Sequence, residues 1–150
     1  MLSQATGYAA TALGYVAAAG GKATLVKEIA EACDIPGPYL AKIVNLLSKS
    51  GVVTTQRGIG GGVALARPPQ EISLFDLCEA LGDPIVERRC MLGTAQCTEE
   101  RACPAHKFWT AARAKQWDFL RETTLADIAS FEIRRRWHGT GAAGGARTTE

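Results

Sequence analysis

Three thiols and an imidazole crowd one short stretch of this 150-residue chain: Cys90-x6-Cys97-x5-Cys103, followed by Pro104-Ala105-His106. Thiolate is a soft, polarisable donor that suits iron-sulfur clusters, copper(I) and zinc, and a neutral imidazole can complete such a set. Structural zinc sites usually draw on ligands paired at short spacing, such as Cys-x2-Cys, and this stretch has none. Its long, uneven gaps suit a segment wrapped around a cluster with several metal corners. Zinc, a redox-active thiol, and a disulfide between two of the three cysteines are the competing chemistries. His106 has an equally ordinary use, packing or capping at the start of a helix.

The chain has five cysteines, an odd number, and no secretory pattern precedes them: Met1 to Tyr8 carry no basic residue. The apolar run from Ala9 to Ala19 is too short to span a bilayer. The expectation is a reducing, cytoplasmic setting with no membrane partner. Cys33 and Cys78 each fall on an apolar helical stripe and read as core.

The elements that must hold the cysteine stretch are mostly helical. Residues 3–19 repeat apolar side chains at Tyr8, Ala12, Tyr15 and Val16, with Gly20-Gly21 as the stop. A second helix is expected from near Thr24, because Val26, Ile29, Ala30 and Cys33 share one face. Asp34-Ile35-Pro36-Gly37-Pro38 breaks it, and Pro38 opens a third helix to about Ser50. Leu40, Ile43, Val44 and Leu47 form the buried stripe of that helix, leaving Tyr39, Lys42, Asn45 and Lys49 outward. Two β-branched runs, Val52–Gln56 and Val63–Ala66, flank Arg57-Gly58-Ile59-Gly60-Gly61-Gly62 and predict a hairpin with a glycine-rich tip. A fourth helix starts near Ser73, whose hydroxyl can cap it with Asp76, and stops at Gly82-Asp83-Pro84.

No period holds from Ile85 to Pro104, a long loop for a small domain. Helical spacing returns over 106–137, with an interruption admissible around Thr123-Thr124. The fold class is mainly α with a small β-wing: a winged helix-turn-helix plus a long C-terminal dimerisation helix. The expected organisation is a DNA-binding domain over 1–82, a cysteine-rich loop over 83–105, a dimerisation helix over 106–138 and a disordered tail over 139–150.

A helix-turn-helix reads DNA by placing its second helix in a major groove about 12 Å wide. Tyr39, Lys42 and Asn45 are the candidate side chains for bases or nearby phosphates. Arg57 sits at the wing among glycines, Gly60 included, that let the backbone approach the duplex. Lys27 and Arg67 are further phosphate candidates. Because the net charge is only +2, any affinity must come from where these cations sit. Helix pairs of this kind also occur in ordinary helical domains, with the lysines merely solvated, but a glycine-rich hairpin following at once is a much rarer combination. No His-Asp-Ser or paired-carboxylate arrangement points to an enzyme. A cluster carrier or electron-transfer protein would keep the cysteines but would have no use for the reading helix and wing.

Together these residues resemble the Rrf-two family of bacterial winged-helix regulators: Tyr39-Leu40 opening the reading helix, the wing from Arg57 to Gly62, Leu65-Ala66-Arg67-Pro68-Pro69 with Ile72, and three spaced cysteines. The resemblance covers residues 1 to about 135. It implies a homodimer with a long helix at the two-fold axis and two heads on double-stranded operator DNA. It also implies an iron-sulfur cluster held by Cys90, Cys97 and Cys103, with Arg57 in the minor groove. Some members complete the ligand set with a histidine after the third cysteine, the place of His106. Others use an acidic residue near the partner's N-terminus, and residues 1–12 contain no Asp or Glu. A [2Fe-2S] cluster is favoured if His106 ligates and [4Fe-4S] if it does not. The implied function is transcription regulation in which the cluster senses iron, nitric oxide or redox state.

Overall fold

The computed structural model of the protein describes residues 1–93 and 95–141, with side chains through Arg136. The described residues form six α-helices and one two-stranded antiparallel sheet at the edge of the helical core, and none of these helices is long and apolar enough to cross a membrane.

Helix α1 (Gln4–Ala18) is the central rod of the core. Ser3 caps it by accepting the N–H of Thr6, and Ala9, Ala12, Leu13 and Val16 are buried along its length. Helix α2 (Val26–Cys33) carries the expected apolar stripe but begins two residues after the Thr24 start expected for it. Thr24 is already committed to a two-way backbone pairing with Val63, at 2.9 and 2.8 Å. Asp34, in the left-handed region at φ 55°, turns the chain into α3 (Gly37–Lys49), which has Pro38 in its first turn. Leu40, Ile43, Val44 and Leu47 are the buried side chains of α3, as their spacing requires.

Strands β1 (Val53–Gln56) and β2 (Gly62–Leu65) pair from Val53↔Leu65 to Gln56↔Gly62. Gly62 has φ +132°, and a Cβ there would lie 2.4 Å from the backbone of Thr24, so only glycine admits the bridge that ties the wing to the start of α2. Helix α4 (Leu74–Leu81) carries the predicted cap: Ser73 and Asp76 exchange hydrogen bonds in both directions.

The single helix expected over 106–138 is divided into α5 (His106–Glu122) and α6 (Leu125–Gly141). The break has a tertiary cause. Leu74 donates its N–H to Thr123 O and Leu125 donates to Ile72 O, a short strand-like exchange, while the Asp127 carboxylate accepts the N–H of Thr124 and restarts the helix. Helix α6 then lies against α1, burying Leu125, Ala129 and Glu132, with Ile128 packed over Gly14. A Cβ at Gly14 would come within 2.6 Å of Ile128, so glycine sets how closely the two helices approach. Because α6 continues through Gly141, residues 139–141 are helical, and the remainder of the expected tail, 142–150, lies outside the described residues.

Candidate DNA-reading head and thiol cluster

On α3, Lys42, Asn45 and Lys49 are exposed on one side. Leu46 shares that outer surface and is 44% exposed. Tyr39 is only half outward: it packs against the core, and its ring meets Tyr8 of α1 edge to face, with centroids 5.7 Å apart. Lys27 is exposed on α2, and Arg57 and Gly60 are exposed at the wing. Arg67 is turned along its own chain, donating to Glu71 O at 3.1 Å and lying 3.8 Å from Asp76.

Behind the head, Asp83 marks the seam with the cysteine loop. It is buried, and its carboxylate accepts the Thr6 hydroxyl at 2.7 Å, the Ser3 N–H at 2.8 Å and the Ile85 N–H at 3.0 Å. Burial alone would raise the pKa of this carboxyl. The Thr6 hydroxyl and the two backbone donors outweigh that effect and hold it below the usual carboxylate range.

The loop has local order that periodicity could not reveal. Arg89 bridges to Gln96, Cys90 donates its N–H to Ala95 O at 2.9 Å, and Cys97 donates to Arg88 O at 2.9 Å, which makes a small hairpin with two cysteines at its neck. A 3-10 turn over Glu99–Arg101 follows, and His106 starts α5 by donating to Cys103 O at 2.9 Å. The four donors stand as two pairs: Cys90 Sγ is 3.7 Å from Cys103 Sγ, and Cys97 Sγ is 3.2 Å from His106 Nδ1. The other ring nitrogen of His106, Nε2, lies 3.1 Å from Glu99 Oε1, so the buried imidazole is held at both ends. Among the described residues, no three His, Cys, Asp or Glu side chains gather as a site for one metal ion. The N–H of Leu92, and then the Cys103 thiol, hold Cys90 below the ordinary thiol pKa, which favours the thiolate that soft metals require. Burial has the opposite effect on Cys78, pushing it up to about 12, and it also raises half-buried Cys33.

Sequence reasoning missed the side chains that suspend this loop. Trp117 Nε1 donates to Ile85 O at 2.9 Å, and Trp109 Nε1 and Arg113 Nη1 both donate to Arg89 O, at 2.8 and 3.3 Å. Trp117 also meets Phe75 of α4 edge to face at 5.8 Å. The i, i+4, i+8 spacing of Trp109, Arg113 and Trp117 on one helix was the available signal. Nothing in the spacing marks Glu99.

Helix, turn, helix, a glycine-tipped wing and the following helices α4 to α6 define a winged helix-turn-helix protein. Residues 2–130 match the Rrf2 family, described as iron-dependent transcriptional regulators, and the chain belongs to that family. An HTH-type transcriptional regulator of Aquifex aeolicus is 35% identical, covering 88% of this chain and 93% of its own length. The HTH-type regulator IscR of Cereibacter sphaeroides is 30% identical over 77% of this chain and 76% of its own. Among solved structures, CymR, the global cysteine regulator of B. subtilis, superposes with a TM-score of 0.73 at 27% identity, covering 87% of this chain and 97% of its own. The protein is thus a transcription regulator rather than an enzyme, and its winged helix is the DNA-binding element.

Proposed function

We propose that this chain is a cytoplasmic, homodimeric regulator whose affinity for operator DNA is set by an iron-sulfur cluster held by Cys90, Cys97, Cys103 and His106. The pairing of the four donors carries this reading. A [2Fe-2S] core takes two protein ligands on each iron, and the Cys90/Cys103 and Cys97/His106 pairs match that division. Iron dependence in the family's description supports the same chemistry. When bound, the cluster supplies a centre sensitive to redox state and to iron supply. DNA contacts are assigned to Lys42, Asn45 and half-exposed Tyr39 in the major groove, to Arg57 and the Gly60 backbone at the wing, and to Lys27 at phosphate.

The chain's own residues link loop to head. Arg89 O, next to Cys90, is gripped by Trp109 and Arg113, and Ile85 O by Trp117, whose ring rests on Phe75 of α4. A rearrangement at Cys90 therefore pulls on α4, the helix that follows the wing. Coupling of this kind is worth about 1–3 kcal/mol, or about 5- to 150-fold in operator affinity. Dimerisation is assigned to the outer face of α5, where Phe108 and Phe119 are 68% and 60% exposed three turns apart. Residues 1–82, 83–105 and the C-terminal helices thereby act as reader, sensor and joint.

The test is anaerobic ultraviolet-visible and Mössbauer spectroscopy, with iron and sulfide counts, on wild type, Cys97→Ala and His106→Ala, alongside operator binding with and without iron. The cluster spectrum should be lost or altered in both variants, and operator affinity should change with iron loading. An unaltered wild-type spectrum in Cys97→Ala would refute the ligand set. A second reading rests on Cys90 and Cys103 themselves: two thiols 3.7 Å apart, one of them poised as thiolate, suit a cluster-free switch in which an oxidant such as peroxide takes two electrons and leaves a disulfide. That switch predicts colourless protein with iron-independent binding that reductant reverses.

A further inference from the structure

The wing tip presents an apolar side chain that the described residues leave fully exposed. Ile59 is 110% exposed, an exposure that only Met1 equals among the large hydrophobic side chains of the described residues. It stands between Gly58 at φ 89° and Gly60 at φ 76°, on a turn closed by the Gly61 N–H donating to Gly58 O at 3.0 Å. The turn is tightly built: a Cβ on Gly61 would lie 2.3 Å from Gln56 O, so the tip is folded hard against its own strand. The Thr24–Val63 pairing fixes the base of the wing to the start of α2. Ile59 is therefore held out on a short, braced arm, beside exposed Arg57 and on the same unit as the reading helix. Solvation alone explains the arginine and the polar run Thr54–Gln56, but it gives no reason for a β-branched hydrocarbon at the apex.

We propose that Ile59 is a specificity-determining contact of the wing, seating its side chain in the DNA minor groove against sugar and base edges at an A·T step. The inference rests on the DNA-reading assignment of the head and not on the cofactor. A minor groove about 6 Å wide admits one branched aliphatic chain, and at G·C pairs the guanine 2-amino group projects into that space. Other DNA-binding proteins place isoleucine, leucine or proline in this groove next to arginine, where the cation takes the phosphate or the negative potential and the hydrocarbon senses the groove floor.

The experiment uses the full-length protein and duplexes that the wild type recovers from sheared genomic DNA of its own source, with the wing step located by hydroxyl-radical footprinting. Each duplex is made with A·T, G·C or inosine·C at that step; inosine keeps the major-groove face of guanine but lacks its 2-amino group. Wild type should lose about tenfold on G·C and recover on inosine·C. Ile59→Ala should bind the A·T duplex about five- to tenfold more weakly, with its melting temperature and the salt dependence of binding unchanged, and should no longer separate G·C from inosine·C. Arg57→Ala, by contrast, should reduce the slope of log affinity against log salt by about one. Wild-type affinity or retained discrimination in Ile59→Ala overturns the assignment of Ile59 alone. Failure of the wild type to recover any duplex overturns the DNA-reading assignment with it.

Discussion

Leu40, Leu47, Ile72 and Leu77 of the winged head lose all exposure to one shared core, whereas among the described residues of the loop from Asp83 to Ala105 only Asp83 is buried, and it is polar. The head is ordered by apolar area taken from water; the loop is ordered by a few hydrogen bonds from Trp109, Arg113 and Trp117 to its backbone. The difference teaches where a regulator can afford plasticity. A reading surface on a close-packed core keeps its shape whatever is bound elsewhere. A segment hung from three polar anchors can instead be reset by a ligand worth a few kcal/mol.

The largest expected effect falls on the head. Leu40→Ala removes a fully buried side chain from α3 and should cost about 3–5 kcal/mol in urea unfolding of the iron-free, reduced protein. Cys97→Ala in the same state should cost less than about 1 kcal/mol, since its half-exposed thiol gives up a hydrogen bond with His106 and little buried apolar area. Equal losses in the two variants would mean that the loop belongs to the core, and the contrast would fail.

Asp83, at the seam, sharpens the comparison. Asp83→Asn replaces a carboxylate that accepts from Ser3, Thr6 and Ile85, and should cost about 2 kcal/mol at neutral pH. The folded-state pKa is depressed, so the wild-type advantage is fully present above the unfolded carboxylate pKa of about 3.9 and is lost as pH falls through the lower folded value. The gap between the unfolding curves of the two proteins should therefore be constant from pH 7 to about pH 5 and narrow as the pH is taken down towards 3. A gap that is flat across the whole range would show that the charge has no part in holding the seam.

How much of this was legible in the chain follows the same division. Leu40, Ile43, Val44 and Leu47 could be read because a helix that buries one face repeats its apolar residues, and the Ser73–Asp76 cap because both partners lie in one turn. Tyr39 was only half legible, since the ring that covers it, Tyr8, comes from a different helix. At Thr123-Thr124 the residue types admit an interruption, but its cause is not local: Ile72 and Leu74, about fifty residues earlier, stop the helix by backbone exchange. The donor set Cys90, Cys97, Cys103 and His106 was visible as residue types, but its pairing was not: Cys90 meets Cys103 across the loop and skips Cys97 between them. Contacts of that kind are made by backbone turns and polar tips, which leave no periodic trace.

Thiol reactivity gives the finest probe of the two regions, with little effect on stability. The thiolate is the nucleophile, so alkylation follows pKa and access together. Cys90 lies in the loop with its pKa lowered by the Leu92 N–H and the Cys103 thiol, whereas burial pushes Cys78 in the core up to about 12, helped by the nearby charge of Asp83. At pH 8 Cys78 is therefore almost wholly the unreactive thiol, and it is enclosed by the core. Half-buried Cys33, raised less far, falls between them. A short iodoacetamide pulse on the iron-free, reduced protein, read by peptide mass spectrometry, should label Cys90 first, Cys33 more slowly and Cys78 only as urea unfolds the head. In Asp83→Asn the Cys78 pKa loses the contribution of that charge, so its labelling in dilute urea should rise while Cys90 stays unchanged. If Cys78 were modified in native buffer as fast as Cys90, the head would open as readily as the loop, and the division between a rigid reader and a resettable sensor would have no physical basis.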